Sequence, residues 1–369
     1  MSGSTAAGPA SRGRVMPDEL HPRHLLARVA EIAAVIAVGA IAISALPGLD
    51  EVRVRLEGVQ PIWIVAIAAA EVGSCLGYLL VFRSTFCARM PWGLSYDIAM
   101  AELAANALLP AGGAGGLALG VWALRQAGMP TDHIARRTVA FFVVTSAANF
   151  FALVVVGMGV FVGAVAGRSS AVLTLAPALL TAVGILFVAA SPRLLRRVGK
   201  DGAGTGGGRW RARARGALRG GLTAAADGVD QAIILLRSHS LGVIVGSFAY
   251  MAFDIAGLGL GFAAVGPVPA FGTLVLGYLI GQLGNLIPVP GGIGATEGAL
   301  VAVFALYGVK VADATAAVLL YRLFQLLVPA LLGAPAFVMM RRKLLRANQP
   351  ALVCGPLALD TVKLPARRS

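Results

Sequence analysis

Apolar residues in this chain fall into long runs rather than into alternating or helical stripes. Six runs are long enough to cross ~30 Å of hydrocarbon as helices, which takes about 20 residues. They are Ile32–Leu49, Val59–Phe82, Thr138–Gly167, Ser169–Ser191, Leu241–Val265 and Ala314–Met340. Glu71, Asp254 and Arg322 are the charges inside them. Two further apolar stretches are broken. Ile98 to Trp122 is interrupted by a Pro-Gly run from Leu109 to Gly116, and the stretch after Ile255 by one from Pro288 to Gly294. Proline removes a backbone donor and glycine loosens the helix, so each half is too short to span alone. The pattern predicts an all-α polytopic membrane protein: six full spans plus two broken, re-entrant segments.

Charge refines this picture. Charged residues make up 13% of the chain against 58% hydrophobic, which excludes an ordinary soluble domain and a disordered chain. The net charge of +14 is gathered in the N-terminal tail, the 192–240 segment and the C-terminal tail. Basic loops beside apolar spans mark the cytoplasmic side. Both termini are therefore expected in the cytoplasm, with loops 50–58 and 168 outside. No recognised module accompanies the charge, so nucleic acid is not expected as a partner. Residues 1–24 and 346–369 read as disordered tails, and 25–345 as the membrane domain. Within the basic 192–240 loop, Leu218, Leu222, Ala225, Val229, Ile233 and Leu236 form an amphipathic stripe. Such a stripe lies on the membrane surface or packs on the loops. His133 is expected at a solvated boundary.

The two broken stretches resemble each other. Asn106-Ala-Leu-Leu-Pro-Ala-Gly-Gly113 echoes Asn285-Leu-Ile-Pro-Val-Pro-Gly-Gly292 at an offset close to 179 residues. Three full spans lie between the copies, so the copies enter from opposite faces. Paired broken segments in inverted halves point to a binding site near the bilayer midplane. Irregular backbone at that depth is tolerated inside protein or along a wet cavity. Two kinks in a glycine-rich chain are the plainer explanation of the same letters.

The stretch from Asn285 through Gly291, Gly292 and Gly294 to Glu297, with Tyr321-Arg322 downstream, resembles the signature of the lysylphosphatidylglycerol synthase transmembrane-region family. The resemblance runs over about residues 25–345. It implies a flippase-like helical domain, fused in some members to an aminoacyl transferase and linked there to moving aminoacylated phospholipid. No segment here matches a transferase. Ala118 and Phe142 stand roughly where the second copy has Glu297 and Arg322, so the first half departs from the charged pattern. Arg125 is the basic residue nearest the end of that half-helix.

The substrate-binding residues expected are Glu297, Arg322, Asn285, Gly291, Gly292, Gly294, Asn106, Gly112 and Gly113. A carboxylate at membrane depth is costly and its use is the default expectation. Glu297 is expected to pair with Arg322 or to face a cationic headgroup or a proton, although a first-turn acid also suits the helix dipole. Arg322 offers a planar donor fork for a lipid phosphate. The glycine turns expose amides fit for phosphate, and close helix packing accounts for them equally. Asn106 and Asn285 are expected to bond the broken backbone. Glu71, Glu102 and Asp254 line the cavity or lie near an interface. No metal site, cofactor or catalytic cluster is expected. The function expected is lipid movement between leaflets, of a phospholipid, aminoacylated or not, or a lipid-linked precursor. The alternatives are an accessory or scaffold for a separate cell-envelope enzyme, and a membrane enzyme acting on lipid-linked sugars.

Overall fold

The computed structural model describes residues 50–108, 114–167, 170–184, 226–237, 240–286 and 294–345. The described residues are helical, without strands. In chain order the helices are α1 (Asp50–Glu57), α2 (Pro61–Phe86), α3 (Trp92–Leu108), α4 (Ala114–Gln126) and α5 (Thr131–Phe161). They continue with α6 (Ala171–Gly184), α7 (226–237) and α8 (Leu241–Val265). Last come α9 (Phe271–Gly281), a 3-10 turn Gln282–Leu286, α10 (Ala295–Leu306) and α11 (Val311–Leu345).

Four helices are long and apolar enough to span: α2, α5, α8 and α11. At 1.5 Å per residue, the 25 residues of α8 reach about 38 Å. The expected run Ile32–Leu49 lies outside the described residues, and α6 is described for only part of the run Ser169–Ser191. Six spans are therefore an expectation of which four are seen. Helix ends shift by a few residues from the apolar runs. For instance, α5 starts at Thr131, because Thr-Asp-His opens its first turn. His133, expected to be solvated, is buried. Its first-turn position places it against the end of α2, where it bonds the Phe86 backbone. Of the amphipathic stripe, Val229 is buried, Leu236 packs on the core and Ile233 is half-buried, while Leu218, Leu222 and Ala225 lie outside the described residues.

The internal repeat is plain in the element order. Helices α2, α3, α4 and α5 begin at 61, 92, 114 and 131, and α8, α9, α10 and α11 at 241, 271, 295 and 311. Each pair is separated by 179–181 residues. The equivalent helices α2 and α8 cross antiparallel. Gly77 faces the Tyr250 backbone and Gly246 faces that of Val81, so numbers rise on one helix as they fall on the other. A Cβ on Gly77 would stand 2.5 Å from the Tyr250 nitrogen, and one on Gly246 2.6 Å from that of Val81. Small residues let the two backbones meet where apolar surface alone gives helices no reason to associate. Two antiparallel copies of one unit are inverted repeats.

The halves are interleaved. The C-terminal part of α11 (Val328, Ala336, Phe337, Met340) sits in the core built by α2, α3 and α4. The C-terminal part of α5 (Leu153, Val160) sits in the core of α8, α9 and α10. Pro329 and Pro335 interrupt the hydrogen bonding of α11. Between them Gly333 lies so close to Met100 of α3 that a Cβ would meet its carbonyl oxygen at 2.3 Å. Phe142, Phe151, Leu180 and Leu331 are among the large apolar side chains left outside, as a lipid-facing surface requires.

Candidate functional site

The two breaks are closed by different chemistry. In the second half the chain enters α10 through Gly294, whose φ of 91° is open to glycine and strained for other residues. Glu297, in the first turn, turns back so that its Oε2 accepts the Gly294 N–H at 2.6 Å. In the first half Asn106, near the end of α3, reaches across, and its Oδ1 accepts the Gly116 N–H at 3.0 Å. Both devices satisfy an amide that a helix start leaves without a partner. Gly116 holds the same place in α4 that Glu297 holds in α10, third from the start. A Cβ on Gly116 would stand 2.2 Å from Asn106 Oδ1. The first half therefore has no room for the carboxylate of the second, and the asymmetry expected from Ala118 is real but falls at Gly116.

Glu297 Oε1 accepts the Arg322 Nε–H at 2.7 Å, the pairing expected from sequence. The side chains are 15% and 9% exposed. Arg322 sits about 16 Å along α11 from its start, beyond easy reach of water. Its guanidinium also donates through Nη1 to Gln325 Oε1. Gln325 Nε2 donates to the Tyr321 hydroxyl at 2.5 Å. The ring of Tyr321 meets that of Tyr278 edge-on at 6.4 Å between centroids, and their hydroxyls interact. Tyr278 donates to Asp254 Oδ2, and Ser74 donates to Asp254 Oδ1, both at 2.8 Å. A polar chain thus runs from the second break to the crossing of α2 and α8. Glu71, one turn from Ser74, interacts electrostatically with both Asp254 and Arg322.

Sequence reasoning named Glu297, Arg322 and Gly294, which the structure joins at the second break, and Asn106, which it places apart, on Gly116 at the first. Asn285 lies in the 3-10 turn, and its side chain is outside the described residues. Gly112, Gly113, Gly291 and Gly292 also lie outside them. Arg125 is exposed in the last turn of α4. Gln325, Tyr278 and Ser74 were missed. A signal existed for Gln325, three residues from Arg322 and so on the same helical face. Nothing local marks Tyr278 or Ser74. No group of three or more His, Cys, Asp or Glu suited to a metal occurs among the described residues.

Inverted, interleaved helical halves with four apolar helices long enough to span among the described residues define a polytopic helical membrane protein. The chain belongs to the lysylphosphatidylglycerol synthase transmembrane-region family, whose profile matches residues 30–333. A relative described as a UPF0104 membrane protein, from Methanothermobacter thermautotrophicus, is 34% identical over 113 residues. That stretch covers 30% of this chain and 32% of the relative, so the chain matches about a third of that protein's length.

Proposed function

We propose that this chain moves a lipid with an anionic or zwitterionic headgroup, or a lipid-linked precursor, from one leaflet to the other. The observation that carries the reading is the Arg322–Glu297 pair, held at a helix break between two inverted halves. A guanidinium at that depth is costly to keep and is shaped to grip a phosphate bidentately. Glu297 keeps it charged and aimed in the absence of substrate, and yields it when a phosphate competes. Inverted halves supply two equivalent packings, so the same site can open to either face.

The ends of α11 suit such opposed gates. At its N-terminal end Arg55 of α1 pairs with Asp313 at 2.5 Å. At its C-terminal end Lys343 pairs with Asp97 of α3. Arg341, Arg342 and Lys343 cluster there, which supports a cytoplasmic reading of that end by the positive-inside rule. On that reading the Arg55–Asp313 end faces outward.

The test is reconstitution into vesicles carrying fluorescent phosphatidylglycerol, its lysyl ester or a polyprenyl phosphate in one leaflet. Redistribution of one of these, lost in Arg322→Ala, is expected. Folded protein that moves none of them would favour an accessory role beside a separate envelope enzyme.

A further inference from the structure

Five carboxylates among the described residues are buried: Glu71, Asp97, Glu102, Asp254 and Asp313. Asp97 and Asp313 have their own cations at the two ends of α11. The other three lie in the core. Arg322 is the buried cation there, and its direct ion pair is with Glu297. Glu71 is 3% exposed, and its charged neighbours are the carboxylate Asp254 and Arg322, the latter already paired with Glu297. Glu102 accepts a hydrogen bond from Tyr78, but its Oε2 is buried with no partner. It also presses on Gly120 of α4, where a Cβ would stand 3.0 Å from that oxygen. Several kcal/mol per ion is the ordinary cost of an uncompensated buried charge, so three such carboxylates with no cation of their own do not all stay ionised.

These groups are connected. Tyr78, bonded to Glu102, meets the Tyr250 ring edge-on at 5.6 Å. Tyr250 interacts with both Asp254 and Glu71. Asp254 then continues through Tyr278, Tyr321 and Gln325 to Arg322 and Glu297. Glu102 is four residues before Asn106 at the first break, and Glu297 is three after Gly294 at the second. The track joins the two breaks through the crossing of α2 and α8. Titratable and charged groups facing Glu71 and Asp254 are Cys75 from α2, Tyr250 from α8, Tyr278 from α9, and Tyr321 and Arg322 from α11. Tyr78 from α2 faces Glu102.

We propose that Glu71, Asp254 and Glu102 hold exchangeable protons along this track, and that proton binding and release at the Glu71–Asp254 pair drives lipid movement. The coupling part rests on the transport reading above; the proton site does not. Arg322 is the shared element. While it pairs with Glu297 it also holds positive charge near Glu71 and Asp254. An anionic headgroup that takes the guanidinium from Glu297 brings a further anion to the site, and the Glu71–Asp254 pair, which holds one proton at rest, binds a second from the open cavity. Release of the headgroup on the other face removes that anion and expels the second proton there. One proton moves with each headgroup, and no redox step or co-reactant is needed.

Two measurements separate the proton site from the transport reading. The first uses the purified full chain and an apolar carbodiimide, which adds to protonated carboxyls in apolar surroundings, with peptide mapping by mass spectrometry. Label is expected on Glu71 or Glu102 at neutral pH, falling as pH rises, and absent at position 71 in Glu71→Gln. No label on Glu71, Glu102 or Asp254 in folded protein overturns the proton site. So does protection by sodium without dependence on pH, which would mark a sodium site.

The second imposes a pH gradient on vesicles with symmetrically placed lipid. A gradient-driven asymmetry is expected, abolished by a protonophore and lost in Glu71→Gln. Lipid that equilibrates equally with and without the gradient overturns the coupling and leaves transport standing. Labelled carboxyls with no lipid movement leave the proton site standing and reject both transport and coupling.

Discussion

Ser74 and Asp254 are 180 residues apart and occupy equivalent places in the two repeats, and they hydrogen-bond each other at 2.8 Å. Equivalent positions touch only where a two-fold axis passes, so the axis relating the halves runs through this contact. The symmetry is broken at that point, with a hydroxyl on one helix and a carboxylate on the other. The buried polar chain that leaves Asp254 therefore runs into the second half.

Glu297→Gln leaves the buried Arg322 without its counter-charge and is expected to destabilise the protein by about 3–5 kcal/mol, the usual cost of halving a buried pair. Arg322→Gln leaves the half-buried Glu297 unpaired and is expected to cost less. The double variant is expected to cost less than the two singles combined. Thermal unfolding in detergent, taken as a double-mutant cycle, measures the coupling. Strict additivity would show that the pair does not interact.

Asn106→Ala removes the acceptor for the Gly116 amide and is expected to cost about 0.5–2 kcal/mol. Asn106→Asp keeps an acceptor there and is expected to retain most of that stability. Equal losses in the two, measured by thermal unfolding, would contradict the capping role.

Gly77→Ala forces a Cβ against the Tyr250 backbone at the α2–α8 crossing. It is expected to destabilise by about 1–3 kcal/mol, as overpacking does. Gly298→Ala meets nothing within 4 Å in an exposed part of α10. Relief of glycine's backbone entropy is expected to raise stability there by roughly 0.5–1 kcal/mol. The opposite signs, read as shifts in unfolding temperature, test the crossing directly.

Reporter fusions check orientation. An alkaline phosphatase fused after Leu345 is expected to be inactive, and one fused after Gly58 active. The reverse pair would invert the assignment of the two ends of α11. Equal activity would place both ends of the bundle on one side.

Transport is expected to depend on salt little at the core pair and more at the ends. Lys343 is 37% exposed beside Asp97, whereas Arg322 is 9% exposed. Screening acts on charges open to water, over about 10 Å at ordinary ionic strength. Lipid movement measured across a salt series in wild type, Asp97→Asn and Arg322→Gln checks this. A salt dependence that persists unchanged in Asp97→Asn would remove the end pair as its source.

The sequence alone determined the class of fold and the two Pro-Gly interruptions, and it offered Arg322 as one of the partners open to Glu297. Each of these is written locally. A run of apolar residues must leave water, a Pro-Gly run cannot continue a helix, and a charge between such runs needs a partner within reach. The repeat was also legible, because its two copies keep similar letters at a fixed spacing. Tertiary structure alone decided which side chains complete the site. Ser74, Tyr278 and the Tyr78–Glu102 contact are unremarkable in their own helices. Ser74 meets Asp254, 180 residues away, because two antiparallel helices approach closely at Gly77 and Gly246, whereas Tyr278 meets Asp254 and Tyr78 meets Glu102 because neighbouring helices fold back on one another. Close packing of α3 on α4 explains the one local misreading of symmetry. Ala118 looked like the counterpart of Glu297, but packing makes Gly116 the equivalent, since Asn106 fills the space a side chain there would need.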